Sequence, residues 1–216
     1  MNTYISIGSQ CATSILFDRL QVKTESLVFD WMFSTPQFVY TIIKLLLIDK
    51  KEIDDIVDNH FFVCDKRALL QGVEHFILNE HGQVLVNSKY NVCFPHDTIS
   101  ERDKYIRRME RFKQIILDKD NFLYFVYISV SSPKSGNYTI DGVEPIQQLY
   151  EYIEQIHNIL KDIRTTYKII VFDTNKPSCV IPSDILHLMY YDIENKNYWS
   201  ELLPEVIDKC NNLKII

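Results

Sequence analysis

The chain has 216 residues, of which 46% are hydrophobic and 24% charged, and it carries a formal net charge of −6 at pH 7. This composition supplies enough apolar residues for a full core and excludes a disordered chain. The acidic balance disfavours nucleic acid as the main partner, because affinity for phosphate backbones comes from clustered Lys and Arg.

The cysteines and the apolar runs predict a location for the chain. Five cysteines, an odd number, occur at scattered spacings, with no CxxC pair and no Cys/His spacing typical of zinc, so no metal site is predicted. The N-terminus has no basic region followed by an apolar core, and the longest apolar run, 40–48, is too short to span a bilayer. We expect a cytoplasmic protein in a reducing compartment, without membrane contact and with an oligomeric state that the sequence leaves open.

The hydrophobic pattern predicts strands and helices in alternation. Strands are expected at 4–7, 61–64, 84–87, 90–94, 122–130, 167–172 and 185–191, and helices at 12–20, 36–47, 101–117, 144–163 and 199–209. Two of these strands are almost continuously apolar, which is typical of strands covered on both faces by helices. The prediction is a single α/β domain over 1–216. It has three layers around a largely parallel, doubly wound (Rossmann-like) sheet, with a small antiparallel, strand-rich insertion over 60–94.

Cys11 lies where the first predicted strand ends and the first predicted helix begins. Gly8, one of only five glycines, is expected to make the turn, and Ser9 and Gln10 complete it. At a helix N-terminus, unpaired backbone N–H groups and the positive end of the helix dipole favour a thiolate. We interpret Cys11 as a candidate nucleophile; the alternative is a small buried residue at a tight turn.

Two further segments carry residues suited to thiol chemistry. His96 follows a predicted strand, and a histidine is the usual base for a thiol because its pKa lies near neutrality. Asp30 lies among large apolar residues, beside Trp31, and a buried carboxylate needs a partner such as a histidine N–H or a helix terminus. Either Asp30 or Asp97 can orient His96. The alternatives are a strand-end position for His96 and a structural anchor or helix cap for Asp30.

A basic cluster occupies the helix predicted at 101–117. The apolar face of this helix is Tyr105, Met109, Phe112 and Ile116. Most of its charges should therefore form the solvated side. Arg107 and Arg108 are the best placed of them to bind an anion, such as the phosphates of an acyl-CoA.

The motifs around these residues resemble a family of unknown function described as papain-like cysteine peptidases. The resemblance rests on 5–11, 29–31, 94–97 and 105–112 and spans roughly residues 4–130. The Gly-Ser-x-Cys, Phe-Asp-Trp, His-Asp and Arg-Arg motifs of the family fall on Gly8, Ser9, Cys11, Phe29, Asp30, Trp31, His96, Asp97, Arg107 and Arg108. The resemblance implies Cys–His chemistry. The chain departs from papain in its C-terminal half, where predicted strands and helices alternate.

Three functions are consistent with these residues. The first is acyl transfer through a Cys11 thioester, from an acyl-CoA co-substrate to an amine or hydroxyl, for instance of a nucleotide-activated amino sugar, with no covalently bound cofactor. The second is hydrolysis of a peptide or amide by the same residues. The third is a non-catalytic nucleotide- or sugar-binding module, although one glycine is few for a phosphate loop. We favour transfer slightly over hydrolysis, with Trp31, Gly8, Ser9 and Gln10 assigned to substrate binding.

Overall fold

The computed structural model describes residues 2–8, 11–61, 66–69, 83–87, 89–90, 92–94, 97, 101–128, 149–173, 185–190 and 203–213. The strands are β1 (Asn2–Ser6), β2 (Lys66–Leu69), β3 (Gln83–Asn87), β4 (Val92–Phe94), β5 (Phe122–Ile128), β6 (Tyr167–Asp173) and β7 (Leu186–Tyr190). The helices are α1 (Ala12–Arg19), α2 (Pro36–Ile43), α3 (Ile53–Ile56), α4 (Arg102–Leu117), α5 (Leu149–Ile163) and α6 (Leu203–Leu213). Together they form a mixed α/β fold.

Four parallel strands form an open sheet in the order β1-β5-β6-β7. Its register places Ser6 opposite Val126, and Ile128 opposite Phe172. Within the described strands this order follows the chain without a reversal, so β1 lies at an edge rather than at the switch point that a doubly wound sheet has. The parallel sheet is therefore confirmed, and the doubly wound, Rossmann-like class stays a prediction.

The two faces of the parallel sheet contribute to two separate clusters of buried apolar side chains. One cluster contains Phe125 and Ile169 together with residues of α2, α4 and α5. The other contains Val126 and Ile170 together with residues of α1 and α6. Successive strand residues point to opposite faces, so β5 and β6 read as continuous apolar runs. This burial fixes the position of α1, and with it the first candidate site residue.

A second, antiparallel sheet has the order β2-β3-β4 and lies within the segment predicted to be strand-rich. The division of the chain into one domain with an insertion stays a prediction. The strand expected at 61–64 is wrong at Phe61, which ends a π-helical turn, Val57–Phe61, that continues α3. Residues 62–64 lie outside the described part. The strand β2 was not expected, because its sequence Lys-Arg-Ala-Leu has no apolar alternation.

The other predicted elements agree with the structure within a few residues at each boundary. The helix expected at 36–47 is α2 followed by a second π-helical turn, Lys44–Ile48, and the helix expected at 199–209 is described from Leu203 and extends to Leu213. Tyr90 lies in a turn rather than in β4. The predicted residues 129–130, 144–148, 191 and 199–202 lie outside the described part of the chain. Periodicity locates α-helices, but it does not show where a helix widens into a π turn.

The corner between β1 and α1 depends on Gly8. Its φ is +118°, a conformation that side-chain-bearing residues rarely adopt. Its carbonyl accepts hydrogen bonds from Thr13 Oγ1 at 2.6 Å and from the Ile128 N–H at 3.2 Å. A Cβ at this position would lie 2.9 Å from Ser34 Oγ and 3.1 Å from the Tyr127 ring. The turn predicted at Gly8 is confirmed, and it requires glycine for both conformation and space.

We predict that Gly8→Ala lowers the free energy of unfolding by about 2–4 kcal/mol, since the new methyl group meets both a strained φ and a packed wall. Urea denaturation measures the change. Ser34→Ala is the control, because the buried Ser34 hydroxyl has no hydrogen-bond partner among the described residues and its removal should cost little. The double variant should recover part of the loss. A loss below about 0.5 kcal/mol for Gly8→Ala would show that the corner relaxes freely.

Candidate active site

Cys11 lies immediately after the corner and is the N-cap residue of α1. It is 7% exposed, and its carbonyl accepts the first intrahelical bond, from the Ile15 N–H at 2.9 Å. The first N–H groups of a helix have no intrahelical acceptor, so this end of a helix is suited to binding an oxygen atom. The thiol thus occupies the predicted strand-to-helix position, at the carboxyl end of β1. The neighbouring residues Ser9 and Gln10 lie outside the described part.

The electrostatic surroundings of Cys11 differ from the prediction. Burial raises the pKa of the Cys11 thiol to about 11. The direction of this shift is opposite to the one expected from the helix N-terminus. At neutral pH the thiol must transfer its proton to a base before it can attack.

Asp30 is buried and bound by groups other than a histidine in the described part of the chain. Its Oδ1 accepts from Ser14 Oγ at 2.6 Å, its Oδ2 accepts from the Leu27 N–H at 2.9 Å, and Lys23 Nζ lies 3.7 Å from Oδ2. Ser14 is three residues after Cys11, so the two side chains lie on the same face of α1. Asp30 therefore anchors the helix that carries the thiol, which is the structural alternative considered for it.

Trp31 follows this anchor in a strained backbone conformation. Its φ is +66°, in the left-handed region that bulky residues avoid. The Lys23 ammonium lies 4.6 Å from the centre of the indole ring, and the same lysine contacts Asp30. Strain of this kind persists only where the surroundings over-determine it. The Asp30 carboxylate and Lys23 supply those surroundings.

Asp97 is buried at 2% exposure, and both of its carboxylate oxygens have partners on or near α4. Tyr105 donates its hydroxyl to Oδ2 at 2.6 Å, and Lys104 pairs with Oδ1. His96 itself lies outside the described residues. The strand β4 before it is bound to the segment after Trp31, since Phe33 and Cys93 exchange two backbone hydrogen bonds of 2.9 and 3.0 Å.

The two neighbouring arginines of α4 lie in different environments. Arg107 is exposed. Arg108 is 7% exposed, and its guanidinium donates to the Asp30 carbonyl at 3.5 Å and lies 5.6 Å from the centre of the Tyr105 ring. The structure therefore separates the predicted pair and brings only Arg108 to the anchor.

The supporting residues Ser14, Lys23 and Tyr105 were not predicted from the sequence. The first of these carried a usable signal, because a residue three positions after a candidate nucleophile shares its helix face. Among the described residues no group of three His, Cys, Asp or Glu side chains could hold a metal ion. No helix in that part of the chain is both long enough and apolar enough to cross a bilayer.

A sequence profile of a family described as "putative papain-like cysteine peptidase" matches residues 2–175. The chain belongs to this family. The match covers β1, the Cys11 corner, Asp30, α4 and the parallel strands β5 and β6. No curated protein and no solved structure matches the chain. The family indicates a cysteine-peptidase-like enzyme and favours the hydrolysis hypothesis over the acyl-transfer hypothesis, which it does not support.

We predict that Asp30→Asn lowers the free energy of unfolding by about 1–3 kcal/mol, because the variant weakens two buried hydrogen bonds and removes the charge facing Lys23. Thermal or urea unfolding measures the loss. Asp18→Asn is the matched control: its carboxylate also contacts Lys23, at 3.9 Å, but is 48% exposed. Its stability should change by less than about 0.5 kcal/mol. Equal effects of the two variants would contradict the anchoring role.

The pH dependence of Cys11 alkylation tests whether a base serves the thiol. With His96→Gln, the rate of reaction with iodoacetamide should rise with pH towards the Cys11 pKa of about 11, because the thiolate fraction rises about tenfold per pH unit below that value. In the native protein a paired histidine should add a reactive plateau near neutral pH. Cys210, whose pKa burial raises to about 12, is the internal control. Superimposable native and variant profiles would exclude His96 as the base.

Proposed function

We propose that the protein is a cysteine-dependent hydrolase that cleaves an amide or peptide bond, with Cys11 as nucleophile and His96 as base. The observation that carries the proposal is the position of Cys11: a thiol at the N-terminus of α1, beyond the carboxyl end of β1, in a chain of the papain-like family. Ligands of open parallel sheets bind outside the carboxyl ends of the strands, and the N-terminus of α1 supplies N–H donors at that end of β1.

The proposed reaction proceeds through a thioester. His96 accepts the proton of Cys11 Sγ, and the sulfur attacks the substrate carbonyl carbon, whose oxygen becomes an oxyanion held by backbone N–H groups around 10–12. The protonated His96 then gives its proton to the leaving amine, and the C–N bond breaks. A water molecule, deprotonated by His96, attacks the thioester and releases the acid and the thiol.

The described contacts support a place for His96 in this scheme. The strand β4 precedes it and pairs at Cys93 with Phe33, whose neighbour Ser34 packs against Gly8 in the Cys11 corner. Asp97 follows it and is held by Tyr105. The chain on both sides of His96 is thus bound to elements around the candidate site.

The roles of the two carboxylates follow from their partners. Asp30 binds Ser14 and the Leu27 N–H, and Asp97 binds Lys104 and Tyr105. We propose that both are positioning residues: Asp30 holds α1, and Asp97 holds the segment that carries His96. Since a carboxylate has about four acceptor sites, Asp97 retains capacity to orient the imidazole as well.

Turnover of a panel of peptidyl anilides and simple amides tests the proposal. Cys11→Ser and His96→Ala should each lower turnover of a cleaved amide at least about a hundredfold, with a melting temperature within a few degrees of the native value. Lys113→Ala, on the partly exposed side of α4, is the control for mutagenesis itself. Amide cleavage that survives Cys11→Ser would contradict the proposal. Acylation of Cys11 by acetyl-CoA, without cleavage of any amide, would instead favour the acyl-transfer hypothesis.

A further inference from the structure

Arg108 is a buried cation without a carboxylate partner among the described residues. It is 7% exposed, yet its guanidinium makes one hydrogen bond there, the 3.5 Å contact with the Asp30 carbonyl, and otherwise packs over the Tyr105 ring. A guanidinium has five N–H donors. Within the described part of the chain, only one of these donors is paired, by a long bond to a neutral carbonyl.

The carboxylates of this cluster are paired with other cations. Asp30 is paired with Lys23 at 3.7 Å, and Asp97 is paired with Lys104. Lys23 also lies 3.9 Å from Asp18, and Lys104 lies 3.8 Å from Glu101. Within the described part of the chain, Arg108 donates to a carbonyl and takes part in no ion pair. Because a buried charge is costly without an opposite charge, an external anion would be bound favourably at this position.

Two contacts connect Arg108 to the helix of the proposed nucleophile. The guanidinium binds the Asp30 carbonyl, and the Asp30 carboxylate binds Ser14, on the same face of α1 as Cys11. The positive end of the α1 dipole lies at Cys11. Arg108 is thus linked through Asp30 and Ser14 to the end of α1 at which the helix dipole favours an anionic group.

We propose that Arg108 binds an anionic oxygen group of the substrate, a carboxylate or a phosphate ester, next to the bond that Cys11 attacks. This inference rests on the proposed function for the position of that bond. It names the substrate class: an acidic acyl compound or amide rather than a neutral peptide. Arg107, exposed on the same helix, has no part in it.

Two alkylating reagents of nearly equal shape test the proposal. Iodoacetate is anionic and iodoacetamide is neutral. The rate of Cys11 alkylation by iodoacetate divided by the rate with iodoacetamide therefore reports the charge beside the thiol. The ratio should fall about tenfold in Arg108→Gln, the effect of one unit charge at close range in a partly buried site. Arg107→Gln, the matched control, should keep the native ratio. An unchanged ratio in Arg108→Gln, or an equal fall in Arg107→Gln, would overturn the proposal. An equal slowing of both reagents in Arg108→Gln would also overturn it, because Arg108 would then stabilise the Cys11 thiolate rather than bind the reagent.

Two further measurements test the proposal if Arg108→Gln does not fold. Arg108→Lys keeps the charge and should keep most of the native ratio, and in the native protein the ratio should fall when NaCl is raised from about 0.02 to about 0.5 M. The proposal would be overturned if the native ratio did not change with NaCl and the ratio in Arg108→Lys fell as far as the tenfold decrease expected for Arg108→Gln.

Added anions identify the ligand and separate this inference from the proposed function. Inorganic phosphate or acetate should raise the melting temperature of the native protein and of Arg107→Gln, but not of Arg108→Gln, and the more effective anion distinguishes a phosphate ester from a carboxylate. If neither anion raises the melting temperature of the native protein, the inference is overturned. This result does not depend on whether Cys11 reacts with the alkylating reagents. Amide hydrolysis that depends on Cys11 can persist in that case, whereas anion binding at Arg108 can persist if hydrolysis fails.

Discussion

The buried Asp30 carboxylate connects the parts of the molecule on which the candidate site depends. The carboxylate accepts hydrogen bonds from the Ser14 hydroxyl on α1 and from the Leu27 N–H. The main-chain carbonyl of Asp30 accepts a hydrogen bond from Arg108 on α4. An ionised group at 3% exposure is stable only when its acceptor sites are filled and its charge is offset. These contacts meet that requirement, and in doing so they fix α1, the strained Trp31 and α4 relative to one another.

The corner at Gly8 imposes a second constraint on the same helix. It turns the chain from an edge strand into α1 within a few residues, and Ser34 packs against it so closely that no side chain fits. Because β1 is hydrogen-bonded to β5 along its whole length, the corner is attached to the parallel sheet. For Cys11 as the proposed nucleophile, this attachment would fix the direction of attack and reduce the entropy lost on reaching the transition state. Its burial has the opposite effect on reactivity, since it holds the thiol in the neutral form.

Much of the fold follows from the sequence, because the elements of the core carry a strong hydrophobic period. The runs of β5 and β6 and the three-and-four spacing of α4 and α5 identify these elements, and the position of Cys11 follows from β1 and α1. The parts that were missed have no such period: β2 is short and charged, and π turns have the same composition as α turns. The left-handed Trp31 is set by tertiary contacts that no local pattern reports.

The candidate site was predictable in its residue types and less so in its partners. A carboxylate among aromatic residues must be buried and paired, but the sequence does not show that its partners are Ser14 and a backbone N–H rather than an imidazole. The difference between Arg107 and Arg108 was accessible, however. Arg108 lies three residues after Tyr105 and four before Phe112, so it borders the apolar face of α4, whereas Arg107 lies on the solvated side. The prediction that most charges of this helix form one solvated side did not separate Arg108 from Arg107.

The proposed hydrolysis proceeds through a covalent acyl intermediate on Cys11, and trapping this intermediate is the most direct measurement. The native protein is mixed with an amide or activated ester that it turns over, quenched in acid within the first turnovers, and digested for mass spectrometry of the peptide that contains residue 11. We expect an acyl adduct on Cys11 that disappears when the substrate is exhausted. Turnover with the adduct on another cysteine, or with no adduct on any cysteine under conditions that trap the thioester of a known cysteine hydrolase, would contradict it.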